Sequence, residues 1–331
     1  MTTKTTQIAH SLHAFMKHLI DYAGLFPPAK LPLEEAVQNY AAYQKTADRW
    51  MLSRFIIPAR RLDELAPLLN NYFKDDETVD FSVLGRSGQN HEDFLAELGE
   101  DIAAITAFRQ IHERKVSTEM FEVRLPDTIL AAHDTSTLDD VLEQTVEILS
   151  EVENLRVFFE VPLNSEWANN INLAIAAIAD LNQRHQLNHG YKLRCGGVEA
   201  SVFPTPQQVA HAIAVVRHHH IAMKATAGLH HPVRHYNESV QTTMHGFLNV
   251  FGAGILAQVH QLDTQDIQAI IEDENPAHFT FTDEAFSWQH LTATVGKIES
   301  IRQQAMLSYG SCSFDEPRED LAALGLLNQP D

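Results

Sequence analysis

The chain is poor in cysteine, in positive charge and in long apolar runs, and each shortage excludes a class of protein. Its two cysteines, Cys195 and Cys312, stand far apart without a CxxC spacing, which argues against a disulfide framework and against a structural zinc site. Both are expected as reduced thiols. Lys and Arg number 24 against 44 Asp and Glu, for a formal charge of −20. Phosphate contacts need clustered cations, so neither a nucleic acid nor a membrane is the expected partner. The N-terminal "MTTKTTQIAHSLHAF" carries a single Lys, and the most apolar helical run, "INLAIAAIADL", is too short and too interrupted to span a bilayer. A cytoplasmic location follows as the expectation. No low-complexity linker interrupts the sequence, which is read as one domain over residues 1–331 with 1–50 as an N-terminal helical segment packing on it.

What the chain does have is a large apolar fraction, 44% of 331 residues, enough for one big barrel or two ordinary domains. Six short β-branched or aromatic runs recur in order: "SRFIIPA" (53–59), "DFSVLG" (80–85), "EMFEVRLP" (119–126), "RVFFEVPL" (156–163), "YKLRCGG" (191–197) and "IAMKATAG" (221–228). Between them, 91–114, 136–152, 166–187 and 205–219 carry apolar residues at helical spacing. This alternation predicts parallel βαβ units and an α/β fold, a (β/α)8 TIM-type barrel. Further on the pattern is less regular. "HGFLNVFGAGILAQVH" suits a buried helix or an irregular seventh strand, "FTFTDEAFSW" (279–288) a small hairpin, and "LSYGSCSF" (307–314) the last strand. Asp315 and Thr205 are expected as N-caps of the helices that follow them. "DYAGLFPPAKLPLEEAV" reads as a helix ending at Gly24, an extended crossing, and a new helix from Leu33, with Asp21 over one barrel mouth.

Strand parity locates the charges. Side chains alternate across a strand, so Glu122 and Arg124 oppose Phe121 and Val123, Glu160 opposes Phe159, Lys192 and Arg194 oppose Leu193, and Lys224 and Thr226 oppose Met223 and Ala225. A half-solvated sheet would show the same alternation. With helices between the strands, however, both sheet faces are covered, and enclosed charges need partners. They are expected to converge in one polar cavity.

An amine among other cations in a dry pocket becomes a nucleophile, with nearby carboxylates moving protons. Lys224 is the candidate, with Glu160 or His230 as the proton carrier. Arg124 and Arg194 are candidates to hold an anion, with the backbone of Gly196 and Gly197 and with Ser311 beside them. His230, His231 and His235 of "GLHHPVRH" offer acid/base groups or, with Glu160 or Glu122, ligands for a divalent metal.

Over "KATAG" the Lys224 strand resembles the lysine-bearing sixth strand of class I aldolases of the deoxyribose-phosphate aldolase type, whose pattern is Lys-Thr-Ser-Thr-Gly; Lys224, Thr226 and Gly228 match, and Ala225 and Ala227 depart from it. Along nearly its whole length the chain also resembles a bacterial family sharing "DYAGLFPPA", "KATAGLHHPVRH", "HGFLNV" and "GSCSFDEP". That resemblance implies a barrel-like fold rather than a reaction, and it marks Asp21, Arg194, Gly196, Gly197, Glu199, Lys224, His230, His231, His235, His245, Asn249 and Ser311.

The resulting expectation is an aldolase-like lyase acting on a small anionic carbonyl compound without a cofactor. Its catalytic residues would be Lys224, Glu160 and His230, and its substrate-binding residues Glu122, Arg124, Lys192, Arg194, Gly196, Gly197, Thr226, His231, Ser311 and Asp21. The alternatives are a metal-dependent hydrolase or isomerase using His230, His231 and His235, and a non-catalytic barrel that binds a ligand. Homo-oligomerisation is left open.

Overall fold

The structure, a computed structural model, describes residues 7–74, 77–112, 115–131 and 135–329. The first six residues of the N-terminal stretch read above, and residues 113–114 of the expected 91–114 helix, lie outside the described residues.

Eight parallel strands close a barrel: β1 Ile20–Tyr22, β2 Leu52–Pro58, β3 Val79–Leu84, β4 Val116–Arg124, β5 Arg156–Glu160, β6 Gly190–Arg194, β7 Met223–Thr226 and β8 Met306–Ser311. The ring is completed where β1 pairs with β8 on one side and β2 on the other. This is the α/β (β/α)8 barrel expected from the alternation of strands and helices. The helices His91–His112, Thr135–Leu149, Trp167–His185 and Pro206–His218 fall where the apolar spacing predicts them. Thr205 caps the last of these: its hydroxyl accepts the Gln208 N–H at 3.2 Å while the Gln208 side chain accepts the Thr205 N–H at 2.7 Å.

Two expectations need correction and two are narrowed. Residues 20–22 are a strand and not the end of a helix, so the N-terminal segment supplies the first stave of the barrel as well as the helices His10–Met16 and Leu33–Tyr43. A three-residue strand is too short to show alternation. Its presence makes the Lys224 strand the seventh rather than the sixth. Next, the stretch after Gly246 contains no strand: Phe247–His260 is one helix, buried from Phe247 to Ala257. It runs so close to its neighbours that a Cβ on Gly254 would fall 2.3 Å from Met306 and one on Gly252 2.9 Å from Phe286. The expected hairpin at 279–288 is present, Phe279–Phe281 against Ala285–Trp288, and a third antiparallel strand, Leu291–Thr294, extends it. Finally, Asp315 is not an N-cap. It is the first residue of the helix Asp315–Ala323, and its carboxylate accepts from Tyr43 and Arg318.

The parity argument divides the barrel wall as expected. Phe81, Phe121, Phe159, Leu193 and Met223 are buried in the main apolar core, where Phe81 meets Phe108 of the helix His91–His112 edge-on at 6.1 Å. Full burial of each such side chain contributes roughly 1.5–3 kcal/mol. Met120, Phe158 and Ala222 form a separate small apolar cluster with Leu307 against it, and they share the even-numbered face with the charges.

Candidate active site

Above that apolar cluster the barrel interior is ionic. Lys224, on β7, is fully buried; its Nζ donates to Asp21 Oδ2 of β1 at 3.0 Å and pairs with Glu122 Oε1 of β4. Lys192, one strand over in register with Lys224, lies 3.0 Å from Glu122 Oε2 and 3.1 Å from Glu160 Oε2 of β5. Arg194 Nη1 is 3.9 Å from Glu160 Oε1, and at the other end Arg54 Nη1 is 3.8 Å from Asp21 Oδ1. Arg54, Asp21, Lys224, Glu122, Lys192, Glu160 and Arg194 therefore form one chain of alternating sign through the barrel. Exposure along it rises from 0% at Lys224 to 8% at Glu160 and 46% at Arg194, so the charged core approaches solvent at the C-terminal mouth. That is the end at which barrels of this kind place their chemistry.

Neutral groups complete the cluster. Ser82 of β3 donates to Glu122 Oε1 at 2.5 Å, and Ser308 of β8 donates to Asp21 Oδ2 at 2.6 Å. Burial alone would raise the pKa of Glu122, but the Lys224 and Lys192 charges and the hydrogen bonds from Lys224 and Ser82 outweigh it and hold the carboxyl well below the usual range. Burial alone would lower the pKa of Lys192; the Glu122 and Glu160 carboxylates reverse this and raise it.

The remaining candidates disperse. Asp21 sits at the centre of the barrel and not over a mouth. Arg124 is separated from the cluster: it is half-exposed and pairs with Asp127 at 3.0 Å. Thr226 lies at the mouth, partly buried. Gly196 and Gly228 pack against each other, a Cβ on Gly196 falling 2.9 Å from the Gly228 Cα, while one on Gly197 would be 2.6 Å from Val202. Close approach of the loops after β6 and β7 thus accounts for Gly196, and packing within the loop after β6 for Gly197. Ser311 Oγ donates to Ser313 O at 2.7 Å.

His231 and His235 meet edge-on with ring centroids 4.3 Å apart, while His230 turns to other partners. His230 Nδ1 is 3.0 Å from Glu316 and 3.9 Å from Cys312 Sγ; burial pulls its pKa down, but the thiol and the carboxylate outweigh it and push it up to about 9. His231 Nδ1 meets Asp320 at 2.5 Å, and His235 Nδ1 donates to the Val233 carbonyl at 3.1 Å. Among the described residues no group of three or more His, Cys, Asp or Glu is arranged to hold a metal ion. His245 and Asn249 have structural partners: the His245 ring bonds the Pro204 carbonyl at 2.7 Å, and Asn249 binds the Arg234 N–H and the Ile270 and Asp273 carbonyls.

Sequence reasoning missed Arg54, Ser82 and Ser308. The signal was present for the first two: Arg54 lies on the face opposite Phe55 and Ile57 in "SRFII", and Ser82 lies between Phe81 and Val83. Ser308 is obscured by a register shift in β8 between Met306 and Tyr309.

No protein-family model matches the chain, and no curated protein matches it by sequence. Among solved structures it is similar to one titled "GH6 Orpinomyces sp. Y102 enzyme", at 11% identity over 68% of this chain and 73% of that one, with a TM-score of 0.34. It is also similar to one titled "Structure of CpGH84B", at 14% identity over 65% of this chain and 40% of that one, with a TM-score of 0.38. Likenesses at this level carry no argument about chemistry. No described helix is long and apolar enough to cross a membrane.

Proposed function

We propose that the chain is a barrel enzyme of the lyase class that acts on a small anionic carbonyl compound at the C-terminal mouth through an imine on Lys224. The observation that carries the reading is the unbroken chain of carboxylates and ammonium groups joining Lys224 to the mouth through Glu122, Lys192 and Glu160. Arg194, half-exposed and only loosely set against Glu160, is free to turn to the substrate anion. Asp21, 3.0 Å from the amine, is in place to take the Lys224 proton. The neutral amine then adds to the carbonyl carbon and water leaves; the bond between the α and β carbons breaks as the β-hydroxyl gives its proton to a carboxylate and that fragment departs as an aldehyde, the bond's electrons passing to the iminium to form the enamine. The enamine carbon takes up a proton supplied through Glu160, and hydrolysis returns the amine. The likeness of "KATAG" to class I aldolases supports the same residue.

A second reading puts the imine on Lys192. It lies on β6, the position of the lysine strand in those aldolases, and it is slightly more exposed than Lys224. One experiment tests both: borohydride reduction in the presence of small aldehydes and keto acids, followed by mass spectrometry of the lysine-bearing peptides. An adduct on Lys224 that is lost in Lys224→Arg supports the first reading, and an adduct on Lys192 the second. Turnover of a substrate with neither lysine trapped, and surviving Lys224→Arg and Lys192→Arg, would leave both as fixed cations and end the imine reading. Arg194→Lys should weaken binding of the anion by about 1.5–3 kcal/mol, since lysine keeps the charge but loses the planar fork.

A further inference from the structure

A large concavity lies at the opposite end of the barrel. About 1800 Å³ opens at the N-terminal mouth, lined by the first residues of several strands, among them Arg54 of β2, Asp80 of β3 and Arg156 of β5, with Met120 and Leu307 of the apolar cluster as its floor. Chemistry at the C-terminal mouth does not use this space.

Lysines, arginines and carboxylates all line it, Glu77, Glu119, Glu153 and Glu299 among the last, but Arg54 and Arg156 are poorly paired. Arg156 donates from Nε to the Asn188 carbonyl at 2.5 Å and lies over the Phe158 ring at 5.0 Å; among the described residues its two terminal nitrogens have no acceptor. Arg54 donates one terminal N–H to Ser53 at 3.1 Å and reaches Asp21 only at 3.8 Å. Asp80 borders the same space but makes no ion pair within 4.0 Å with either arginine among the described residues. Arg302, buried at the same mouth, is spent on carbonyls of Phe15, Lys17, Met306 and Leu307 and brings no carboxylate with it. Burial and, after it, the Arg54 charge pull the pKa of Arg156 down to about 10, in keeping with two arginines that line one cavity. In a chain whose net charge is −20, such a pair is unexpected on solubility grounds. Guanidinium forks with open nitrogens over an apolar floor match an organic molecule with a doubly charged head.

We infer that the N-terminal mouth is a second binding site, distinct from the lysine cluster, for a small organic dianion held between Arg54 and Arg156. The head group is a phosphate monoester or a pair of carboxylates, and the two are separated by the choice of probe. Isothermal titration of the full chain with inorganic phosphate and with malonate, against sodium chloride at matched ionic strength, is expected to show saturable binding of at least one. Arg156→Gln should weaken it tenfold or more, and Arg194→Gln, at the other mouth, by no more than twofold. Arg156 is the better target because Arg54 also touches Asp21 of the lysine cluster. Should Arg156→Gln fail to fold, the wild-type chain carries the test: the bound probe should slow phenylglyoxal modification of the Arg156 peptide several-fold. Absence of saturable binding, heats equalled by chloride, or an unprotected Arg156 would overturn the inference. So would binding lost in Arg194→Gln and kept in Arg156→Gln, which would move the anion to the C-terminal mouth and leave the lyase reading intact. Failure to trap an imine leaves the dianion site untouched.

Discussion

The two faces of the barrel wall differ in kind. Between strands and helices the wall is apolar and closely packed, with Phe81, Phe121, Phe159, Leu193 and Met223 all buried; inside it, Asp21, Glu122, Glu160, Lys192 and Lys224 are buried as charges. Barrels of this type commonly fill the interior with branched apolar residues. Here the outer layer supplies the hydrophobic stabilisation, and the interior is left for groups whose worth depends wholly on their partners. A buried pair contributes little over an apolar substitute, yet breaking it leaves an uncompensated charge. The inner face is therefore intolerant of single changes in a way the outer face is not.

The largest effect tests this directly. Glu122→Gln removes the carboxylate shared by Lys224 and Lys192 and should cost about 3–5 kcal/mol in urea unfolding. Adding Lys224→Met to it should recover part of the loss, because the stranded ammonium goes too. Phe81→Ala in the outer layer should lose about 3–5 kcal/mol through its cavity, and no charge change inside should restore any of it. Additive losses for Glu122→Gln and Lys224→Met would show that the interior does not behave as coupled pairs.

Histidines sharpen the comparison next. His189 and His245 are buried outside the charge cluster; desolvation, followed for His189 by Arg156 and for His245 by Arg234, pulls each down to about 4 from an ordinary 6.5. Such a group stays neutral in the fold while the unfolded chain takes up a proton. Its contribution is fully present above pH 6.5 and is lost as pH falls towards 4, about 3 kcal/mol for each. His230 has the opposite sign. Raised to about 9, it contributes below 6.5, and its share is lost as pH rises through 9. NMR titration of the ring protons should place these midpoints on either side of 6.5, and a shared midpoint near 6.5 would contradict the contrast.

Smaller effects lie outside the barrel wall. Thr205→Ala, which opens the capping box, should cost about 1 kcal/mol in thermal or urea unfolding. Arg124→Ala should change stability by less than about 0.5 kcal/mol, because its pair with Asp127 is half-exposed; a loss comparable to that of Glu122→Gln would place Arg124 back among the inner charges.

Much of this was legible without coordinates. Alternation in "MFEVRLP", "RVFFEVP" and "IAMKATAG" assigns Glu122, Glu160 and Lys224 to one side of the wall, and the capping box at Thr205 follows from residue types alone. Other parts were not legible. Arg124 shares parity with Glu122, but parity does not say how far along a strand the barrel interior ends, and Arg124 is the last residue of β4. The glycine pair at 196–197 suggested an anion cradle; contact of Gly196 with Gly228, from another loop, and of Gly197 with Val202 supplies a packing reason instead.

Local sequence therefore determined the period of each element and the side on which each charge lies, because both depend on neighbours a few residues away. Partner choice belongs to the closed ring. Lys224 bonds Asp21 across 203 positions and Glu122 across 102, and those distances become contacts only when β1 closes between β8 and β2. Closure also decides which end of the interior is sealed by Met120, Phe158 and Ala222 and which end leads to Arg194, since depth along the barrel axis is set by strand register and stagger.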